Sequence, residues 1–117
     1  MRVKIYHNPR CSKSRQTLAI LQGRGIEPEI IEYLIHPPSN AQLEKILALL
    51  SMEPRDLMRK KEPEYRDNHL DDPGLTREQL IDAMVQHPKI IERPIVINND
   101  KAALGRPPEN VVEILND

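Results

Sequence analysis

The first part of the chain has the residue pattern of a strand, a helix and a second strand. Apolar and polar side chains alternate from Val3 to Tyr6, as in a half-buried strand. From about Ser12 to Gly23, apolar residues recur at the spacing of one helix face: Thr17, Leu18, Ile20 and Leu21. Residues 29–34 predict a second strand. Such a unit normally pairs its two strands in parallel through a right-handed crossover.

The middle of the chain is predicted to be a helical block. Apolar residues at helical spacing follow two capping boxes, Ser39 with Gln42 and Thr76 with Gln79. A further helix is expected over residues 54–59, because proline is favoured in a first helical turn. Residues 60–72 are highly charged and predict an exposed, loop-rich segment.

The last part of the chain returns to strands. A short apolar strand is expected over residues 95–97, followed by a turn at residues 98–100 and a second strand at residues 102–105. A last helix is predicted to bury Val111, Ile114 and Leu115. The pattern therefore predicts an α/β protein ordered as strand-helix-strand, helical insertion, strand-strand-helix.

Length, composition and charge narrow the classes of function. A chain of 117 residues can form one domain with a single core. The formal net charge of −1, the absence of Trp and Phe, and only three Tyr argue against binding to nucleic acid or to an anionic membrane. No run of apolar residues is long enough to span a bilayer, so a cytoplasmic protein is expected, with a monomer as the simplest state.

The single cysteine, Cys11, is the leading candidate for chemistry. It follows Pro9 at the predicted turn from strand to helix, where unpaired N–H groups and the helix dipole favour a thiolate. Cations also surround it in the sequence, and Ser14 is positioned to offer a hydroxyl to the sulfur. His7 is expected either to act on the sulfur or to tie the loop to the strand end. The alternative is that Cys11 is an inert, buried small hydrophobe.

One cysteine cannot form an internal disulfide, so redox chemistry at Cys11 would need a second thiol from another molecule. Metal binding is not expected, because the four histidines are scattered: His7, His36, His69 and His87.

Four separated segments resemble the arsenate reductases that are coupled to glutathione and glutaredoxin, in their short chromosomal branch. These segments are residues 6–15, which contain Cys11, and the stretches around Arg59, Arg93-Pro94 and Arg106-Pro107. The resemblance implies a thioredoxin-like fold in a single domain over residues 1–117, with a helical insertion at about residues 39–86. It also implies that the Arg93-Pro94 peptide is cis.

The resemblance further implies roles for individual residues. Cys11 would attack arsenate, and three arginines would hold the oxyanion: Arg59, Arg93 and Arg106. Supporting positions around the cysteine would be His7, Asn8, Ser14 and Arg15. No bound cofactor or metal is implied, while glutathione would serve as co-substrate and glutaredoxin as protein partner.

Two other functions remain open at this stage, and a third does not fit. A general glutathione-dependent thiol reductase is compatible with one cysteine. A redox-sensing regulator that binds RNA polymerase shares the fold, but its usual Cys-x-x-Cys switch is interrupted here by Ser14. The phosphatase-like arsenate reductases need an arginine where this chain has Thr17.

Overall fold

The computed structural model describes residues 2–115, which form two compact units. The first unit combines the chain up to His36 with the chain from Arg93 onward, and the second is Pro37–Glu92. The first contains four strands, a helix and a terminal 3₁₀ helix: β1 (Val3–His7), α1 (Ser12–Gly23), β2 (Glu29–Glu32), β3 (Ile95–Asn98), β4 (Lys101–Leu104) and the segment Pro108–Ile114.

The four strands form one mixed sheet in the order β2-β1-β3-β4. Strands β1 and β2 are parallel, which confirms the predicted strand-helix-strand unit. Strand β3 is antiparallel to both β1 and β4. The predicted hairpin between β3 and β4 is also confirmed, and its turn places Asn99 at a φ of 56°, a left-handed conformation that asparagine tolerates.

The core of the first unit joins the sheet, α1 and the terminal 3₁₀ helix. Its buried apolar side chains come from all three: Val3, Ile5, Leu21, Val96, Val111, Ile114 and Leu115. The Asn98 Nδ2 group donates a 2.8 Å hydrogen bond to the carbonyl of Ile114, which ties β3 to the terminal helix. The predicted burial of Val111, Ile114 and Leu115 is confirmed.

The second unit is helical. It contains three α-helices and two short 3₁₀ segments: α2 (Asn40–Leu50), Pro54–Leu57, α3 (Pro63–Asp67), α4 (Arg77–Gln86) and Pro88–Ile90. Both predicted capping boxes are present, at the first turns of α2 and α4. Each box pairs a hydroxyl with the backbone N–H three residues later, while the glutamine amide oxygen accepts from the N-cap N–H.

Strand β2 is shorter than the sequence predicted. The expected strand over residues 29–34 ends at Glu32, so its last two residues were assigned wrongly. The N–H groups of Ile35 and His36 both donate to the carbonyl of Glu32, at 3.0 and 2.9 Å. This turn, which alternation of side chains does not reveal, ends the strand.

Two predictions in the middle of the chain were also partly wrong. The helix expected over residues 54–59 ends at Leu57, because Met58 is extended and pairs as an antiparallel bridge with Ile91. The N–H of Glu92 donates to the carbonyl of Leu57 at 2.8 Å, which extends this pairing. Within the expected loop over residues 60–72, the short helix α3 begins at Pro63.

Among the helices of residues 2–115, none combines the length and the apolar character needed to cross a membrane.

Candidate active site

The register of the sheet brings four chain segments to one edge. His7 at the carboxyl end of β1 is paired with Glu32 at the carboxyl end of β2. Because β3 is antiparallel, its first residue, Ile95, pairs with Tyr6 on one side and with the last residue of β4 on the other. The segment that carries Arg93 leads into β3, and the segments that carry Cys11 and Arg106 leave β1 and β4. All three therefore adjoin the same end of the sheet's strands.

Cys11 is the N-cap residue of α1, as the sequence predicted. Its backbone is extended, with φ −93° and ψ 123°. Its N–H donates to the carbonyl of Asn8, and its carbonyl accepts from the N–H of Arg15, both at 3.0 Å. Its side chain is partly exposed rather than sealed in the core, so the sulfur lies at the positive end of a helix.

The pKa of the Cys11 thiol is lowered. Burial acts in the opposite direction and would raise this pKa, but the other contributions outweigh it. The N–H groups of Ser14 and Lys13 donate to the sulfur, and the Arg93 side chain adds both a hydrogen bond and a positive charge. The site therefore favours the nucleophilic thiolate.

Arg93 lies two residues before the start of β3, and its side chain interacts with the Cys11 sulfur. The Arg93-Pro94 peptide is cis, which confirms the expectation from the family resemblance. The guanidinium is partly buried, and interactions with Cys11 and Tyr33 raise its pKa against the opposing effect of burial. Arg93 is thus a permanently charged donor beside the candidate nucleophile.

Arg106 is linked to Arg93 through the backbone. Its Nη1 group donates to the carbonyl of Arg93 at 3.3 Å, and the N–H of Gly105 donates to the carbonyl of Pro94 at 2.9 Å. The side chain of Arg106 is exposed. The two arginines predicted within this unit are therefore neighbours, one half-buried near the sulfur and one open to solvent.

Gly105 permits this close approach. A Cβ atom at this position would lie 2.6 Å from Thr17 Oγ1 and 2.7 Å from Pro94 Cγ. Both distances are too short for a real side chain. A glycine is therefore required where β4 ends beside α1 and the cis proline.

His7, Asn8 and Ser14 form a buried network beneath the cysteine turn. The Ser14 Oγ atom lies 2.6 Å from His7 Nδ1 and accepts a 3.0 Å hydrogen bond from the Asn8 N–H. The Ser14 hydroxyl thus bonds to these residues, while its backbone N–H donates to the sulfur. The hydroxyl contact with sulfur expected from the sequence is replaced by a backbone contact.

The pKa of His7 is lowered, chiefly by burial. Glu32 opposes the shift, and the positive charge of Arg15 adds to it. The imidazole is therefore neutral at neutral pH, and it links the end of β1 to the first turn of α1. This contact matches the structural alternative considered for His7.

Arg15 and Asn8 shape the loop around Cys11. Arg15 donates from Nη1 to the carbonyl of Pro9 at 3.0 Å, and Asn8 accepts from the N–H of Arg10 at 3.0 Å. These two side chains bond to the backbone of the turn that presents the cysteine. Their predicted supporting role thus has a local structural basis.

Arg59, the third predicted arginine, belongs to the second unit. Its Nε atom lies 3.3 Å from Glu62 Oε1, and its Nη1 atom lies 4.0 Å from Glu92 Oε1. Its N–H donates to the carbonyl of Ile90 at 2.6 Å, within the pairing that follows Leu57. Arg59 is therefore held between two carboxylates, and its contact with an oxyanion stays a prediction.

One residue of the site was missed by sequence reasoning. Tyr33 was assigned to a strand, but it is buried and interacts with Arg93. The sequence would have indicated this role only if the end of β2 at Glu32 had been predicted, because Tyr33 would then have stood out as a buried residue in a turn.

Among residues 2–115, no group of three or more His, Cys, Asp and Glu side chains is placed to hold a metal ion.

The chain is similar to known proteins over nearly its whole length. The model of the ArsC family matches residues 6–114. The arsenate reductase of Haemophilus influenzae is 49% identical, over 98% of this chain and 100% of that protein. The uncharacterized protein YfgD of Escherichia coli is 54% identical, over 97% and 96% of the two chains. A solved structure, the arsenate reductase from Vibrio cholerae, has a TM-score of 0.95 and 50% identity, with 97% and 98% coverage.

The mixed sheet, with a cysteine at the first strand-to-helix turn and a cis proline before β3, defines a thioredoxin-like protein. Within that class, the chain belongs to the ArsC family.

Proposed function

We propose that this protein reduces arsenate to arsenite, with Cys11 as the nucleophile, glutathione as co-substrate and glutaredoxin as protein partner. The observation that carries the proposal is the hydrogen bond from the Arg93 guanidinium to the Cys11 sulfur, at the N-terminus of α1. Such a site pairs a thiolate with a donor suited to an oxyanion. Relatives named arsenate reductase, similar over nearly the whole chain, support the choice of substrate.

The first chemical step is attack of the Cys11 thiolate on arsenic(V). A sulfur-arsenic bond forms, an arsenic-oxygen bond breaks, and the oxygen leaves as hydroxide or water. Glutathione then displaces a second oxygen of the arsenic as water and forms a second sulfur-arsenic bond. The glutaredoxin thiolate attacks the glutathione sulfur, so that a disulfide forms, this sulfur-arsenic bond breaks and its electron pair reduces the arsenic to arsenic(III). Water finally displaces Cys11 from the arsenic and releases arsenite. Summed over the cycle, arsenate and two thiols give arsenite, one disulfide and water, so the external thiols supply both electrons.

The arginines hold the oxyanion in this proposal. Arg93 is already oriented toward the sulfur, and Arg106 is linked to its carbonyl. Planar guanidinium groups bind tetrahedral oxyanions through two parallel hydrogen bonds, which a lysine cannot do. Arg59 is assigned the same role from the family resemblance. The three arginines together stabilise the charge on the arsenate oxygen atoms as the arsenic-oxygen bond breaks.

The supporting residues keep the nucleophile in place. The hydroxyl of Ser14 joins His7 and Asn8, which fixes the turn so that the N–H of Ser14 points at the sulfur. Arg15 holds the Pro9 carbonyl on the other side of the same turn. Their contribution is preorganisation of the thiolate rather than direct contact with substrate.

Glutathione is the proposed electron source because Cys11 is the only cysteine of the chain. A resolving thiol must therefore come from a second molecule. A glutathione pool of this kind is typical of the cytoplasm, where we place the reaction. No bound cofactor is required, since each electron reaches arsenic through a thiol.

The test is consumption of NADPH in a mixture of the protein, arsenate, glutathione, glutaredoxin and glutathione reductase. We expect turnover that is lost when glutathione or glutaredoxin is omitted, and lost in Cys11→Ser. Arg106→Ala is expected to raise the KM for arsenate about tenfold, the usual effect of losing a charge-assisted hydrogen bond. Arg2→Ala, an exposed arginine outside the site, is the matched control.

Wild-type protein that consumes no NADPH with arsenate, yet reduces mixed disulfides of glutathione, would overturn the proposed substrate. The general thiol reductase would then be the correct function. Turnover that continues without glutaredoxin would instead contradict the proposed partner.

A further inference from the structure

Tyr33 is the inward-facing residue of an otherwise exposed segment. It follows directly after β2, and only 1% of its surface is accessible. Its neighbours Leu34 and Ile35 are 42% and 67% exposed. The phenol oxygen is buried together with the ring, and a buried hydroxyl normally requires a polar contact.

The register of the sheet places Tyr33 and Arg93 at the same end of its strands. Tyr33 lies one residue beyond Glu32, and Arg93 lies two residues before Ile95, at the same edge. Strand β1 separates β2 from β3, so the two backbones are about 10 Å apart, twice the usual strand spacing. Tyrosine and arginine are both long enough to bridge this gap across the end of β1.

The two side chains also interact electrostatically. The Arg93 guanidinium interacts with the Tyr33 hydroxyl as well as with the Cys11 sulfur. The Nε atom of Arg93 is buried and has no hydrogen-bond partner among residues 2–115. The interactions with Tyr33 and Cys11 thus act on the same half-buried guanidinium.

We infer that Tyr33 is a positioning residue, whose buried hydroxyl holds the Arg93 guanidinium in the orientation that faces Cys11 and an incoming oxyanion. The inference rests on the proposed function for the oxyanion, but the effect on Cys11 does not require any substrate. Tyr33 touches neither the nucleophile nor the arsenic atom in this account, and it acts through Arg93 alone.

The test is Tyr33→Phe, which removes the hydroxyl and keeps the ring. The first readout is the rate of Cys11 alkylation by iodoacetamide against pH. We expect the profile to move to higher pH and the rate at mildly acidic pH to fall about threefold, since a mobile guanidinium stabilises the thiolate less. The second readout is arsenate turnover, with a KM raised roughly fivefold and a smaller change in kcat.

The matched control is Tyr6→Phe, because Tyr6 is also buried in this unit and its phenol lies near Glu29. It should leave the alkylation profile unchanged. In an Arg93→Ala background, Tyr33→Phe should have no further effect on the profile. Arg93→Lys serves as the second background if the alanine variant unfolds, and it should reduce the effect of Tyr33→Phe.

A Tyr33→Phe profile identical to the wild type would overturn the inference, as would a Tyr33→Phe shift of the same size whether Arg93 is present or replaced. If the Tyr33→Phe alkylation profile is shifted but the wild type shows no arsenate turnover, the role of Tyr33 is supported and the proposed substrate is overturned. The two claims therefore fail separately.

Discussion

At the scale of single residues, the reactivity of Cys11 depends on groups that the helix and the neighbouring strand bring to it. Burial alone would raise its pKa, and two backbone N–H groups together with Arg93 reverse that effect. The N–H groups come from Lys13 and Ser14, in the first turn of α1. Arg93 is distant in sequence and reaches the sulfur only through the pairing of β3 with β1.

Arg93→Ala should make Cys11 less acidic. Loss of the guanidinium removes both a hydrogen bond and a positive charge, so the alkylation profile should move to higher pH. At mildly acidic pH the rate should fall roughly tenfold, as expected for loss of a hydrogen bond to a charged group.

Arg10→Ala is the matched control for this measurement, because Arg10 is exposed and adjacent to Cys11 in the sequence. Alkylation profiles that coincide for the wild type and Arg93→Ala would show that the helix N-terminus alone sets the acidity of Cys11.

Contacts between residues that are close in the sequence were predictable, and contacts between distant residues were not. The position of Cys11 at the start of a helix follows from Pro9 and from the apolar spacing that begins after it. The bond between Ser14 and His7 spans the turn and depends on its three-dimensional course. The interaction of Tyr33 with Arg93 links the segment after β2 to the segment before β3, and these two strands are not adjacent, so no local pattern indicates it.

At the scale of elements, locally determined features were the most predictable. The capping boxes at Ser39 and Thr76 need only residues three positions apart, and both are confirmed. The ends of β2 and of the Pro54–Leu57 segment were predicted wrongly, because they depend on a turn at Glu32 and on the pairing of Met58 with Ile91. The sheet order β2-β1-β3-β4 likewise results from pairing between distant segments.

The junction between α1, β4 and the cis proline should not tolerate a side chain at Gly105. In Gly105→Ala, the new methyl group would press on Thr17 and Pro94, and we expect a loss of about 1–3 kcal/mol in the free energy of unfolding. Because Pro94 follows Arg93, the alkylation profile of Cys11 should also move to higher pH. Urea unfolding and alkylation of the same samples measure both effects.

Gly23→Ala is the control for this substitution, because a methyl group there would meet no atom within 4 Å. A Gly105→Ala protein with wild-type stability and alkylation would contradict the close approach of β4 to α1.

At the scale of the whole molecule, stability should depend on the ionisation of Cys11. The pKa of the thiol is lower in the folded protein than in the unfolded chain. The resulting stabilisation is therefore complete above the ordinary thiol pKa, and it is lost as the pH falls through the lowered value. The free energy of unfolding of the wild type, minus that of Cys11→Ser, should rise with pH over this range and then stay constant.

Urea unfolding under reducing conditions at several pH values measures this difference. His7 contributes in the same direction, because its lowered pKa makes protonation unfavourable in the folded state. It is present in both proteins, so its effect cancels in the comparison. A difference that is independent of pH would mean that Cys11 ionises equally in the folded and unfolded states.

The central claim is that Cys11 carries the reduction of arsenate, and direct measurement of arsenite alongside NADPH consumption tests it best. Reduction of arsenic(V) to arsenic(III) takes two electrons, the number that one NADPH supplies. The wild type should therefore form arsenite and consume NADPH at equal rates, and Cys11→Ser should do neither. Arsenite formation that persists in Cys11→Ser, or NADPH consumption without arsenite, would contradict the claim.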